Sequence, residues 1–174
     1  ASSSTFIVLS EATKGFNELA ATLADLHVAS GLSVDVLSDL TAGLINTRQV
    51  SQQAVTVMLN DAVAMQKSFK ITNSQVELVM KNTTGIIKKM GVFFKDSDKG
   101  AKAFSKGITS ATGAMKKLGV TVEESGEFFT KLLDPEQMNE NMGLLGRLGM
   151  SVQEISDMME GTNTETFFDK MLDN

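Results

Sequence analysis

The chain has 174 residues, 42% of them hydrophobic, and a net charge of −5, so it has enough apolar mass for a packed core. Cysteine, tryptophan and tyrosine are absent and histidine occurs once, at His27, which rules out a thiolate or multi-histidine metal shell and a histidine-dependent nucleophile–base site with a second histidine. Proline also occurs once, at Pro135, so little in the chain interrupts helix formation.

The first apolar stripe is Leu9, Ala12, Phe16, Leu19, Leu23 and Leu26, stepping by three and four residues, and it predicts a helix over 6–29. A second helix is expected over 33–46. Val55, Met58, Ala62, Met65 and Phe69 repeat the step within 50–69. A helix over 74–90 opens on Ser74…Glu77, the spacing of a capping box, in which each side chain satisfies a backbone N–H of the first turn. Ala101, Phe104, Ile108, Ala111, Met115 and Leu118 form the third stripe, on a helix over 97–118. Thr121…Glu124, Asp134…Gln137 and Ser151…Glu154 are further box spacings, opening helices over 122–133, 136–148 and 151–160, and a last helix is expected over 164–172. Pro135 falls on the first helical position, where its missing N–H costs nothing. Gly31, Gly91, Gly119 and Gly149 follow apolar or basic–apolar runs, as helix-ending glycines do.

The fold class is therefore all-α: short to medium amphipathic helices joined by Gly/Ser turns, with an N-terminal segment 1–90 and a C-terminal segment 91–174. Residues 31–39 and 149–157 agree at five of nine positions, and Lys88-Lys-Met-Gly-Val92, Lys116-Lys-Leu-Gly-Val120 and Gly146-Arg-Leu-Gly-Met150 also align. Shared punctuation of helix ends and a degenerate duplication both account for this. The spacing is too irregular for a solenoid.

Charge is uneven along the chain. Residues 88–120 carry 8 basic and 2 acidic groups, whereas 121–174 carry 3 basic and 12 acidic. A basic middle beside an acidic end points to attraction within or between copies. The eight basic residues are all lysine and only phenylalanine is present for base stacking, so no specific nucleic-acid recognition is expected. A cationic amphipathic helix at 97–118 also has the character of a membrane-surface helix, and a transient membrane contact there is one expectation. Gly143, Gly146 and Gly149 lack the Lys-Ser/Thr of a phosphate loop and read as close helix packing and a helix stop. No catalytic, cofactor or metal residues are assigned.

Met115-Lys-Lys-Leu-Gly-Val-Thr-Val-Glu-Glu124, then Phe128-Phe-Thr-Lys-Leu-Leu-Asp134, then Leu144-Leu-Gly-Arg-Leu-Gly-Met-Ser-Val-Gln-Glu-Ile-Ser-Asp-Met158 resemble, in order and in kind, the tail tape measure proteins of bacteriophages. The resemblance is clearest over 85–160 and looser over 10–84. It implies a long, helical, homo-oligomeric protein, trimeric or hexameric, held in the tail tube and against the baseplate hub. Such a protein sets tail length and leaves ahead of the DNA. It implies assembly in the host cytoplasm and residence in the virion tail, with no enzyme activity in this segment. Family members are far longer, so the chain is expected to be a fragment. The residues expected to matter are structural. Gly119 and Gly149 end helices, Thr121 and Ser151 cap the next ones, and Met115, Leu118, Leu145 and Leu148 bury the faces that meet. Leu9–Leu26 or Ala101–Leu118 would supply a subunit contact. The alternative is a secreted helical pore-forming toxin or effector segment whose 97–118 helix binds membrane.

Overall fold

The computed structural model describes residues 50–173 continuously, together with 21, 23–25, 27, 28, 31, 35, 38, 39 and 42. Among the described residues the regular structure is entirely helical. The expected helices over 6–29 and 33–46 lie largely outside them, although residues 21, 23–25, 27, 28, 35, 38, 39 and 42 are helical. Of the first stripe, Leu23 is described and is buried in the core.

Helix α1 (Gln52–Phe69) starts at Ser51, whose hydroxyl accepts from the Ala54 N–H. It ends on Lys70, held at φ 54°, in the left-handed region where glycine is the usual residue. Lys116 stabilises this end: its Nζ donates to the Phe69 and Lys70 carbonyls at 2.8 and 3.2 Å, a cation on the negative pole of the helix.

Helix α2 (Asn73–Met90) begins one residue before the expected 74. Its capping box is Thr72 with Gln75, not Ser74 with Glu77. Thr72 has the extended backbone an N-cap needs, whereas Ser74 already lies inside the first turn. Glu77 pairs instead with Lys81, one turn on. Gly91 departs from expectation as well. It has φ −57° and leads into a 3-10 turn (Gly91–Phe93) rather than a left-handed stop. The preceding Met90 is fully buried, while Leu118 and Leu148, in the matching place before Gly119 and Gly149, are exposed and half-buried. The aligned phrase 88–92 therefore meets the core at a different rotational phase.

Helix α3 (Ser97–Lys117) is capped by Asp96 through the Lys99 N–H, and Asp98 accepts from the Ser51 N–H at 2.8 Å. Helix α4 (Val122–Leu132) carries the expected Thr121–Glu124 box. Asp134 does not form the expected box with Gln137: its Oδ1 takes the Glu136 N–H, because the first turn around Pro135 is a tighter 3-10 turn (Pro135–Gln137). Helix α5 (Met138–Arg147) follows, then α6 (Val152–Met159) and α7 (Thr164–Asp173).

Helix α3 is the hub, packing on α1, α7, α4 and α2, while α4 also packs on α2. Its face Ala101, Phe104, Ile108 and Ala111 is buried inside the chain. That part of the stripe is not available as the expected subunit contact. A row of rings crosses the core: Phe168 meets Phe104, Phe129 and Phe167 edge-on at 6.2, 6.1 and 5.1 Å between centroids. Buried Thr83, Thr109 and Thr112 return their hydroxyls to carbonyls one turn back, so none is stranded in the apolar interior. One apolar cluster spans Leu23 to Met171 and crosses the 90/91 division.

Candidate functional site

The residues singled out from the sequence fall in two joints, α3–α4 and α5–α6, built on one plan. At the first, the Gly119 N–H donates to the Lys116 carbonyl and the Val120 N–H to that of Met115, with Gly119 at φ 90°. At the second, the Gly149 N–H donates to the Gly146 carbonyl and the Met150 N–H to that of Leu145, with Gly149 at φ 85°. Both are Schellman stops, in which a left-handed residue lets the chain satisfy the last carbonyls while reversing. A Cβ on either glycine would meet no neighbouring atom within 4 Å, so the backbone angle alone demands glycine.

The next residue but one caps the following helix. Thr121 forms a full box, exchanging bonds of 3.1 Å with Glu124 in both directions. Ser151 takes the Glu154 N–H, but Glu154 does not return to the cap. Its carboxylate binds Lys170 Nζ at 2.7 and 2.8 Å, which ties α6 to α7. The lysine wins because a charge-assisted bond outweighs a neutral N–H partner.

Of the four apolar residues expected to bury the joints, Leu145 is fully buried and Leu148 is half-buried against the core. Met115 is half-buried, and its sulfur lies 3.7 Å from the Ser125 hydroxyl. Leu118 contradicts the expectation at 78% exposed. It is the C-cap residue, and the chain turns away at Gly119, leaving nothing stacked beyond the helix end to cover it. Each joint also reaches a third helix: Lys116 of the first closes the end of α1, and Lys170 of α7 bonds the Glu154 carboxylate of the second.

A third joint of the same kind was not foreseen. Gly161 has φ 79°, its N–H donates to the Met158 carbonyl, and the Thr162 N–H donates to that of Asp157. Its sequence, Met-Glu-Gly, lacks the basic residue used to recognise the others. Here a Cβ would lie 2.8 Å from the Gly100 Cα, so this turn also presses backbone to backbone against α3. The loop is clamped further by Lys95, whose N–H donates to the Glu160 carbonyl at 2.9 Å and whose ammonium pairs with its carboxylate at 3.1 Å.

Also unforeseen are the glycines inside α3. Each receives a phenylalanine ring on its bare Cα: Gly100 that of Phe94, Gly107 that of Phe168, Gly113 that of Phe69. The signal was present as glycines six and seven residues apart on one predicted helix. By contrast, Gly143 and Gly146 have nothing within 4 Å of where a Cβ would stand, so the close packing expected there is not made within the described residues.

The basic stretch meets the acidic end in part. Lys89 lies 3.6 Å from Asp134 and Lys95 pairs with Glu160. Lys116 serves the end of α1, and Lys117 stands 5.2 Å over the Phe69 ring. Asp61 on α1 has its carboxyl raised above the ordinary range by burial, with the nearby Lys106 partly offsetting the rise. A cleft of about 20 Å³ between α1, α2 and α3, lined by Met58, Met80, Thr83 and Ser105 among others, has room for one water and no larger ligand. Among the described residues no three His, Asp or Glu converge as a metal site would need, and no helix is long and apolar enough to cross a membrane. No family model, curated protein or solved structure matches the chain.

Proposed function

We propose that the chain is a segment of a phage tail tape measure protein, a non-enzymatic structural element held in the tail tube and at the baseplate hub and released before the genome. The observation that supports this most is the repeated joint at 115–124 and 145–154, since the same residues carry the resemblance. Each joint is a left-handed glycine stop followed at once by a Ser/Thr cap. Local signals define such joints, so helices of different length can be strung in series by repeating the unit. A chain whose length is the functional quantity needs that property. The proposal includes self-association and contacts with tube and hub proteins.

The toxin-like alternative has less support from the fold. Membrane binding by the 97–118 helix needs its apolar face, and Ala101, Phe104, Ile108 and Ala111 are buried against neighbouring helices. Insertion would require opening the core.

The test is peptide mass spectrometry on purified tails, combined with in-frame deletion of one joint in the parent gene. Recovery of this chain's peptides from the tail fraction, with tails shortened by the deletion, is the expected result. Recovery only from secreted protein, with no particle, would overturn the reading, as would hydrolysis of a substrate by the purified segment.

A further inference from the structure

The two ends of α3 both present apolar side chains to solvent, and they differ in charge. Before its first turn, the connection from α2 exposes Val92 (68%) and Phe93 (44%). The lysines there are already balanced: Lys89 lies beside Asp134 and Lys95 pairs with Glu160, while Asp96 and Asp98 stand at the start of the helix. Beyond its last turn, Leu118 stands 78% exposed. The surroundings of Leu118 are basic. Lys116 and Lys117 precede it, and their contacts bring the end of α1 alongside. Lys116 Nζ reaches the Phe69 and Lys70 carbonyls, and Lys117 Nζ stands 5.2 Å over the Phe69 ring. Lys70 is exposed there, and Lys67 is exposed in the last turn of α1.

Part of this charge answers the negative poles of α1 and α3, which both end at this corner. Lys116 does so directly, through the two carbonyls. Among the described residues Lys67, Lys70 and Lys117 make no hydrogen bond, and none of the ion pairs uses them: the pairs are Lys81–Glu77, Lys89–Asp134, Lys95–Glu160 and Lys170–Glu154. The acidic residues that follow Leu118 are Glu123 and Glu124, and Glu124 is turned back to the Thr121 N–H. The corner therefore gathers lysines from two distant stretches of chain around one protruding leucine.

We propose that this corner docks on the surface of an anionic phospholipid membrane. Leu118 enters the boundary between headgroups and acyl chains. The stems of Lys67, Lys70 and Lys117 lie along that boundary and keep their ammonium groups at the level of the lipid phosphates. A nucleic-acid strand is a poorer fit. The protruding aliphatic side chain has no use on a phosphate backbone, and the Phe69 ring is occupied by Gly113 of α3 and by Lys117, so it offers no base a stacking face. The buried stripe of α3 takes no part, so the core stays closed. One leucine with a few lysines binds no more strongly than a single acyl anchor, so the contact is reversible. The inference rests on this corner and not on the tail reading, and either can fail without the other.

The chain has no tryptophan, so one introduced by substitution reports its own surroundings. The experiment uses the whole 174-residue chain and two variants, Leu118→Trp and Val92→Trp, each checked for native helicity by circular dichroism. Each is titrated with vesicles of phosphatidylglycerol and phosphatidylcholine, and with vesicles of phosphatidylcholine alone. Leu118→Trp should shift its emission to the blue on the anionic vesicles, the shift should reverse as salt is raised, and the neutral vesicles should give none. Val92→Trp should give no shift on either. In flotation assays of the unlabelled chain, Lys70→Gly with Lys117→Gln should weaken binding by tenfold or more, on the order expected for two lysines at an anionic surface. Glycine suits the left-handed backbone at position 70, so that pair of changes spares the fold. Lys99→Gln with Lys106→Gln, on the middle of α3, should leave binding unchanged. The absence of any blue shift in Leu118→Trp overturns the proposal, as does an equal shift in Val92→Trp. So does binding that falls no further in the corner variant than in the mid-helix variant. Flotation of the chain that is undiminished by Leu118→Ser, together with equal binding of single-stranded DNA, would make the corner a general polyanion contact and would also overturn it.

Discussion

Helices α3 and α5 both carry glycine in their interiors, where it costs about 1 kcal/mol relative to alanine, yet the two helices use it in opposite ways. In α3 each of Gly100, Gly107 and Gly113 is a notch filled by a phenylalanine ring from a neighbouring segment. The conformational cost is offset by close aromatic packing, and α3 becomes the element on which the others lean. In α5, Gly143 and Gly146 face open space, Leu144 is 42% exposed, and only Met138 and Leu145 are buried. That helix packs on the Pro135–Gln137 turn and on α6 and otherwise stands at the edge. Its Asn141 does reach back, donating to the Lys131 and Leu132 carbonyls and closing the end of α4. Glycine content alone therefore says nothing about rigidity; the ring, or its absence, decides.

The sharpest way to break this comparison is Gly107→Ala. The new Cβ would sit 2.3 Å from the ring of Phe168, which is 3% exposed and wedged among other rings. Overpacking of this kind should lower the unfolding free energy by about 2–3 kcal/mol in a urea titration. A loss under about 0.5 kcal/mol would show that the row of rings yields and the notch is incidental.

Next in size is Gly149→Val at the end of α5. No atom obstructs the side chain, so any loss comes from φ 85° alone, and about 1–2 kcal/mol is expected. Gly119→Val should behave alike, and a clear difference between them would mean that the two joints are not equivalent.

Thr121→Ala removes the hydroxyl that accepts the Glu124 N–H, one of the two bonds of the box that starts α4, and should cost about 1 kcal/mol. Hydrogen exchange at the first-turn amides of α4 should rise, with those of α6 unchanged.

Gly143→Ala inverts the sign of the first substitution. With open space around it, alanine should raise stability by about 0.5–1 kcal/mol, seen as a higher urea midpoint. Destabilisation would reveal that α5 needs glycine for a reason other than room.

The smallest effect concerns Asp61 beside α3. Its folded-state carboxyl titrates above the ordinary value, so the ionised form is disfavoured by folding. The stability it allows is fullest below the ordinary carboxylate pKa and is lost as pH rises through the folded value. Asp61→Asn should therefore raise the melting temperature slightly at neutral pH, with the gain vanishing in acid. A gain that grew in acid would reverse the assignment.

Most helix limits were legible in the sequence because their causes are local. An N-cap, a left-handed glycine and an interior free of proline act within one turn, and Thr121, Ser151, Gly119 and Gly149 could be named without knowing any neighbour. The failures at Ser74 and Gly91 are instructive for the same reason. Two cap spacings overlap at 72–77, and a basic–apolar–glycine phrase is not a stop when the residue before the glycine is already committed to the core.

The sequence by itself determined an all-α chain, its punctuation and the apolar faces of α1 and α3. Only the tertiary structure decided that α3 is central and spends its stripe internally. It also decided that Leu118 is left outside, that Lys116 closes α1, and that Gly107 holds the ring of Phe168. The closing of α1 by Lys116 and the seating of Phe168 on Gly107 each join residues far apart along the chain. Periodicity reports that a face is apolar, but not which surface will cover it, because burial is non-directional and many pairings remove similar apolar area from water.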